Sequence, residues 1–185
     1  AFRYIIYMMY LKALKKTMFG IVAVITMYLI IVSIWASLSI SYLLPAATIG
    51  SELSLLSLEQ KNILLKIEDP TFYKHIGLDV SQGQGLTTIT SSLARNTFLF
   101  GRELPGTKGR FQSFYRGVFS CCKKIDLGRD VMALILHRNL SKDQQLQLFV
   151  SSIYMGGNKG IQLQGLSSAA SSYFGKSLPN LSNVE

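Results

Sequence analysis

The stretch EDPTFYKHIG, Glu68 to Gly77, carries most of what this sequence predicts. Two adjacent carboxylates open it, an aromatic pair follows, and a histidine and a glycine close it. Neighbouring carboxylates repel each other and burial disfavours their ionised forms, so one member of such a pair can serve as a general base. The alternative is a solvated pair at a helix end, because Pro70 disfavours helical geometry in the residue before it.

A segment that can cross a membrane lies upstream of this stretch. No charged residue occurs between Lys16 and Glu52, and Met18–Leu38 has the length that a helix needs to span about 30 Å of hydrocarbon. Four basic residues precede the span and the next one after it is Lys61, which predicts a cytoplasmic N-terminus and an outer chain beyond the span. The first residues either form an interfacial helix on the inner leaflet or extend the anchor helix.

The charge of the chain indicates the kind of partner it meets. The net charge is +9, and residues 45–185 carry fifteen Lys or Arg against ten Asp or Glu. Basic proteins often bind nucleic acid, but an extracytoplasmic location argues strongly against that partner. An anionic membrane surface or a phosphate-bearing lipid fits better.

Capping signals after the span predict a series of helices. Ser57 and Ser141 each precede a helical pattern with a capping signal, and residues 88–96 form a short helix. A last helix covers about Ser167–Phe174 and closes at Gly175.

Residues that disfavour helical geometry define the rest of the predicted structure. Glycines and Pro105 make Phe98–Arg116 irregular, and Gly156–Asn158 end the helix that Ser141 begins. No β-branched alternation is long enough for a sheet, so the sequence predicts a mainly α-helical domain.

Four segments, in order, resemble the motifs of the peptidoglycan glycosyltransferases, glycosyltransferase family 51. This family forms the transglycosylase domains of bifunctional penicillin-binding proteins and their monofunctional relatives. The resemblance covers about Ile63 to Glu185. The four segments are Glu68–Gly77, Gly85–Asn96 (GLTTITSSLARN), Ser141–Gly156, and Tyr173–Lys176 (YFGK).

The resemblance implies a mainly α-helical fold: an N-terminal transmembrane helix followed by a lysozyme-like glycosyltransferase domain, incomplete if the family's last apolar helices lie beyond residue 185. Its expected divisions are a cytoplasmic basic or interfacial segment 1–17, an anchor 18–44, a linker 45–57 and the domain 58–185. The expected location is the bacterial inner membrane, crossed once, with the domain on the outer, periplasmic side.

A segment at about 97–124 corresponds to the family's jaw, which touches the bilayer. Between Phe98 and Phe119, six aromatic rings interleave with four basic residues, a composition that suits the headgroup level of a membrane. The alternative is an ordinary surface loop with some of its rings in the core.

The reaction that the resemblance implies is polymerisation of lipid II into glycan strands. Glu68 would accept the proton of an acceptor hydroxyl as that oxygen attacks the anomeric carbon of the donor sugar, and undecaprenyl pyrophosphate would leave. Cations must stabilise the leaving group, from Lys or Arg side chains with or without Mg²⁺. The expected partners are lipid II, the growing strand, the bilayer and cell-envelope proteins, and not nucleic acid.

The resemblance also carries substrate-binding roles onto this chain. Arg95 occupies the position of a family lysine, Lys123 and Lys124 are the counterparts of a basic pair, and His75 is expected to hold the turn rather than to catalyse. The full set is Asp69, Phe72, His75, Thr88, Thr90, Arg95, Asn96, Lys123, Lys124 and Arg129. No residue is expected to be a metal ligand.

Two alignments put different residues at the family's second catalytic glutamate. Counting back from Ser141 without gaps puts Arg129 there, whereas a shift of three residues, close to one helical turn, puts Asp126 near the acid. Asp126 is therefore the predicted second catalytic residue. The competing hypothesis is an inactive relative that acts as a membrane-tethered partner in a cell-envelope complex. A cleft with Glu68 and Arg129, but without Asp126 or Asp130, would favour that hypothesis.

Overall fold

In a computed structural model, the described parts of the chain are residues 2–44, 52–79, 81, 88–119, 126–158 and 160–184. Helices make up most of them, as predicted. The α-helices are α1 (Phe2–Leu43), α2 (Leu58–Glu68), α3 (Ile89–Arg95), α4 (Gly106–Phe119), α5 (Leu127–Asn139), α6 (Lys142–Ser152) and α7 (Leu166–Ala169). The remaining elements are 3₁₀ turns at Glu52–Leu55 and Leu178–Asn180, π-helical turns at Asn96–Phe100 and Ala170–Phe174, and strands β1 (Tyr154–Asn158) and β2 (Ile161–Gln164).

The first helix, α1, is continuous over 42 residues, so the N-terminal segment extends the anchor helix. At 1.5 Å per residue it is about 63 Å long, roughly twice the thickness of the hydrocarbon layer. Among the described residues, Tyr7–Leu43 is the one stretch of helix long and apolar enough to cross a membrane. Between Tyr7 and Met27 its side chains are almost all exposed, and from Tyr28 onward one face packs against the domain.

The core of the domain forms around α5, which packs against α1 on one side and α3 on the other. Met132, Ala133 and Leu136 of α5 are fully buried. Val32 and Ala36 of α1 are also fully buried, so the second half of α1 is part of the core.

Local sequence sets three helix starts, of which those at Ser57 and Ser141 were predicted from capping patterns and the one at Thr88 from a helical pattern. Ser57, Thr88 and Ser141 each accept a hydrogen bond from the backbone N–H three residues on, and that residue's side chain bonds back to the cap. The helix that Ser57 begins ends at Glu68, with Asp69 as its C-cap before Pro70.

The prediction that Phe98–Arg116 is irregular is wrong. A π-helical turn ends at Phe100 and α4 begins at Gly106. The buried side chain of Gln112 holds the entry to α4: its amide oxygen accepts from the Leu104 N–H at 3.0 Å and its amide nitrogen donates to the Phe98 carbonyl at 2.8 Å. These bonds satisfy backbone groups that have no helical partner near the glycines and Pro105, so α4 forms despite those residues.

The prediction of no sheet is also wrong, because β1 and β2 form an antiparallel hairpin. Gly156–Asn158 belongs to β1, and α6 already ends at Ser152. The register is irregular between Tyr154 and Gly157, and Gly156 has a φ of +92° there, a conformation that glycine adopts without a steric penalty. The hairpin is short and the fold stays mainly α-helical.

Parts of the predicted linker and jaw lie outside the described residues, namely 45–51 and 120–124. The rest of the linker includes the turn Glu52–Leu55, where the Leu53 N–H donates to the Gln147 side-chain oxygen of α6 at 2.7 Å. The division of the chain at residues 17, 44 and 57 stays a prediction.

Candidate active site

The carboxylate of Asp69 organises the corner between α2 and α3. Asp69 is buried, and it accepts hydrogen bonds from the His75 ring nitrogen Nε2 at 3.0 Å and the Ile89 N–H at 3.0 Å. The Gly77 N–H donates to His75 Nδ1 at 2.9 Å, so Nε2 is the nitrogen that carries the proton toward Asp69. Because Ile89 is the first residue of α3, one carboxylate joins the end of α2 to the start of α3.

Further side chains of the predicted set stiffen this corner. The Thr88 hydroxyl donates to the Gly77 carbonyl at 2.6 Å, and the buried Thr90 hydroxyl donates to the Gln145 side chain at 2.7 Å. The Phe72 ring is buried, and the Lys142 ammonium lies 4.3 Å from its centroid.

Burial of Asp69 leaves its neighbour Glu68 exposed, at the edge of a cleft. We call this the Glu68 cleft; it has a volume of about 330 Å³. Its lining residues are Glu68, Thr88, Ile89, Ser91, Ser92, Arg95, Arg129, Phe149 and Ile153. A second cavity of about 370 Å³ adjoins it and shares four of these residues. That cavity is lined by Ser92, Leu93, Arg95, Asn96, Phe100, Phe149, Ser152, Ile153 and Tyr154.

The charged groups among the described lining residues of the Glu68 cleft are one carboxylate and two guanidinium groups. Arg95 is exposed, and its guanidinium carbon lies 5.1 Å from the centroid of the Phe100 ring. Arg129 is in the first turn of α5 and forms an ion pair at 3.8 Å with the neighbouring Asp130. Guanidinium groups bind phosphate oxygens in a bidentate manner, so the cleft can hold a diphosphate next to a group that accepts a proton.

Asp126 has a different environment from Glu68. It is buried as the N-cap of α5 and accepts hydrogen bonds from the Tyr115 hydroxyl at 2.7 Å and from the N–H groups of Gly128 and Arg129, both at 3.1 Å. Among the described residues that line the cleft, Arg129 is present and Asp126 and Asp130 are not. The catalytic role predicted for Asp126 therefore gains no support from its position.

Asp130 is also buried, on the same turn of α5. Burial raises the pKa of its carboxyl group, while Arg129 lowers this pKa and the charge of Asp126 raises it. This carboxyl group is thus held close to Arg129 and is more easily protonated than a solvated aspartate.

The structure brings only part of the predicted set together. Glu68, Thr88, Arg95 and Arg129 line the Glu68 cleft, and Asn96 lines the adjoining cavity. The others are absent from the lining of both cavities or lie outside the described residues. Asp69, Phe72, His75 and Thr90 make contacts within the protein, and Lys123 and Lys124 lie in a part of the chain that is not described.

Sequence reasoning missed two kinds of site residue. Phe149 of α6 and Ile153, directly after its end, form an apolar wall of the cleft, and their four-residue spacing was the available signal. The hydroxyl groups of Tyr28 and Tyr115 lie 3.0 Å apart and connect α1 to Asp126. No sequence pattern indicates that pair, because 87 residues separate its members.

The site thus consists of an exposed glutamate that lines one cleft with two arginines, in a mainly helical domain that follows a long apolar helix. The sequence model of the family described as Transglycosylase matches residues 48–185. The chain therefore belongs to the transglycosylase family, the peptidoglycan glycosyltransferases of family 51. Peptidoglycan glycosyl transfer is the activity that characterises this family.

Similar curated proteins are penicillin-binding proteins. Penicillin-binding protein 1A of Clostridium botulinum is 30% identical over 131 residues, which is 68% of this chain and 15% of that protein. Penicillin-binding protein 1A of Haemophilus influenzae is 33% identical over 135 residues, 65% of this chain and 13% of that protein. Penicillin-binding protein 1B of Buchnera aphidicola is 32% identical over 127 residues, 66% of this chain and 15% of that protein. The chain thus spans about 15% of the length of these relatives.

Proposed function

We propose that this protein binds lipid II in the Glu68 cleft and polymerises it into glycan strands, with release of undecaprenyl pyrophosphate. The observation that carries this proposal is that Glu68, Arg95 and Arg129 line one cleft. An exposed carboxylate next to two guanidinium groups fits a reaction in which a hydroxyl group loses a proton while a pyrophosphate leaves.

In this reaction Glu68 accepts the proton of the acceptor sugar's 4-hydroxyl group as its oxygen attacks the anomeric carbon of the donor. A new glycosidic bond forms, and the bond from the anomeric carbon to the pyrophosphate oxygen breaks with its electron pair on that oxygen. Arg95 and Arg129 stabilise the charge that develops there, and Glu68 afterwards returns its proton to solvent.

Contacts between α4 and α1 support a membrane-bound site and a lipid-linked substrate. The Trp35 ring N–H donates to the Lys108 carbonyl at 3.1 Å, and the Lys108 ammonium donates to the Leu38 carbonyl at 2.6 Å. A span of about 20 residues counted from the last charged residue of α1 ends close to Trp35. The exposed Phe114 and Val118 lie one turn apart on α4 and suit the headgroup level. The basic residues before the span support a cytoplasmic N-terminus, so the proposed location of the domain is the outer side of a bacterial inner membrane.

A second candidate function is an inactive relative that binds lipid II or a cell-envelope partner without transferring sugar. The observation that favours it is the lining of the cleft. Among the described residues, the lining includes Arg129 but neither Asp126 nor Asp130. If the protein transfers sugar, Glu68 is the one carboxylate among the described cleft residues that can accept the proton.

Polymerisation of lipid II by the purified full chain in liposomes separates these candidates. We expect glycan polymer from the parent protein and a fall of at least about 100-fold in Glu68→Gln, as for loss of a general base. The matched control is Glu59→Gln, which removes another exposed carboxylate of α2 away from the cleft. Absence of polymer from the folded parent would overturn the proposal in favour of the second candidate. Equal polymer from the parent and Glu68→Gln would show that Glu68 is not the base.

A further inference from the structure

We propose that the Arg129 guanidinium group neutralises the pyrophosphate in the Glu68 cleft in place of a divalent metal ion. The inference rests on the proposed function in taking a lipid-linked pyrophosphate as the ligand. It goes beyond that function in assigning to Arg129 the part that a divalent metal ion would otherwise play.

Among the described residues, the oxygen donors of the cleft leave no spare carboxylate for Mg²⁺. This ion is usually bound through one or two carboxylates together with substrate phosphates and retains several waters. Glu68 is the single carboxylate among the described lining residues, and it is the group that the reaction needs as a base. A divalent cation would also be repelled by Arg95 and Arg129, which line the same cleft.

The first turn of α5 holds Arg129 at a fixed place. Asp126 accepts the Arg129 N–H at 3.1 Å and the Gly128 N–H at the same distance, so its carboxylate sets the backbone of that turn. Tyr115 donates to Asp126 at 2.7 Å, and its hydroxyl group meets that of Tyr28 on α1. Arg129 thus enters the cleft from a turn that is tied to the long apolar helix.

The Arg129 side chain is only 11% exposed, and Asp130 lies 3.8 Å from it. This neighbouring carboxyl group offsets part of the cost of placing a guanidinium group away from water. Arg95, on the opposite helix α3, adds a second cation that is exposed to solvent. Two guanidinium groups can bind a diphosphate through paired N–H donors without any metal.

The consequence is binding that needs no divalent ion and depends on the charge at position 129. The probe is undecaprenyl pyrophosphate, presented in detergent micelles to the full-length chain, with undecaprenyl monophosphate as the comparison ligand. The dissociation constant of each ligand is measured in EDTA and in excess Mg²⁺ for the parent, Arg129→Gln and Arg129→Lys. The matched control is Arg138→Gln, which removes an exposed arginine from the other end of α5.

We expect the parent and Arg138→Gln to bind the pyrophosphate equally in EDTA and Mg²⁺, and Arg129→Gln to bind at least about ten-fold more weakly in both. Arg129→Lys keeps the positive charge and is expected to bind more tightly than Arg129→Gln, which separates lost charge from damage to the fold. A fall of about ten-fold or more in the parent's affinity on adding EDTA would overturn the inference. Equal binding by Arg129→Gln and the parent would overturn it as well.

Failure of this inference can be told from failure of the proposed function. Polymer that needs both Glu68 and Mg²⁺ would leave the proposed function standing and overturn the metal-independent role of Arg129. Metal-independent binding through Arg129 in a protein that makes no polymer would support the inference and overturn the proposed function.

Discussion

The Asp69 corner and the first turn of α5 are built alike, yet they present opposite charges to the cleft. At each place a buried aspartate accepts a backbone N–H at a helix start and a bond from a ring-bearing side chain, His75 in one case and Tyr115 in the other. In the first corner the neighbour that lines the cleft is the carboxylate of Glu68, whereas in the second it is the guanidinium group of Arg129. The comparison teaches that the buried aspartate and its hydrogen bonds determine which position faces the cleft. The residue at that position then determines the chemistry.

Removal of the Asp69 carboxylate is expected to lower the stability of the protein more than any change in the second corner. Asp69→Ala leaves the His75 ring N–H and the Ile89 N–H buried without their acceptor, which should lower the free energy of unfolding by about 2 to 5 kcal/mol. Denaturant unfolding in detergent measures the loss. Asp69→Asn retains one acceptor oxygen and should lose less. A loss in Asp69→Ala below about 0.5 kcal/mol would contradict the central role of this carboxylate.

Substitution of Asp126 tests the other corner and should have a smaller effect. Asp126→Ala removes the N-cap of α5 and the acceptor for Tyr115, for an expected loss of about 2 kcal/mol of stability. Asp126→Asn keeps a capping oxygen, and its loss should be below about 1 kcal/mol. Thermal unfolding together with the lipid II assay tests both variants. If Asp126→Asn kept its stability but lost polymerisation, the catalytic role predicted for Asp126 would be restored.

The last prediction concerns Lys142, whose ammonium group lies over Phe72 beside the Asp69 corner. Burial lowers the pKa of Lys142 from 10.5 to about 8, against the opposing influence of Asp69. Between these two values the unfolded chain binds the proton more tightly, so the stability that depends on Lys142 rises with pH through this window and is level below it.

Melting temperatures between about pH 7.5 and 10.5 measure this dependence. The difference between the parent and Lys142→Met isolates Lys142 from other groups that titrate in the same range, and Lys66→Met is the exposed control. The parent should gain stability relative to Lys142→Met as the pH rises. A difference that is constant across the window would show that Lys142 keeps an ordinary pKa in the folded protein.

Helix starts in this protein were predictable because they depend on neighbours in the sequence. Ser57, Thr88 and Ser141 form their capping bonds with residues three positions away. The failure at α4 has the opposite cause. Its start depends on Gln112, which bonds to the Phe98 carbonyl 14 residues earlier, a contact that no local pattern indicates.

The sequence by itself determined the long apolar helix, the capped helices and the adjacent carboxylates at the end of α2, since hydropathy and capping act over a few residues. Only the tertiary structure decided that Asp69 is buried while Glu68 lines the cleft. The reason is that the backbone N–H that donates to the Asp69 carboxylate belongs to Ile89, 20 residues away. The tertiary structure also decided that Arg129 enters the same cleft while Asp126 caps α5. Exposure of a charged side chain depends on packing between distant segments, and that packing determines which of two neighbours can perform chemistry.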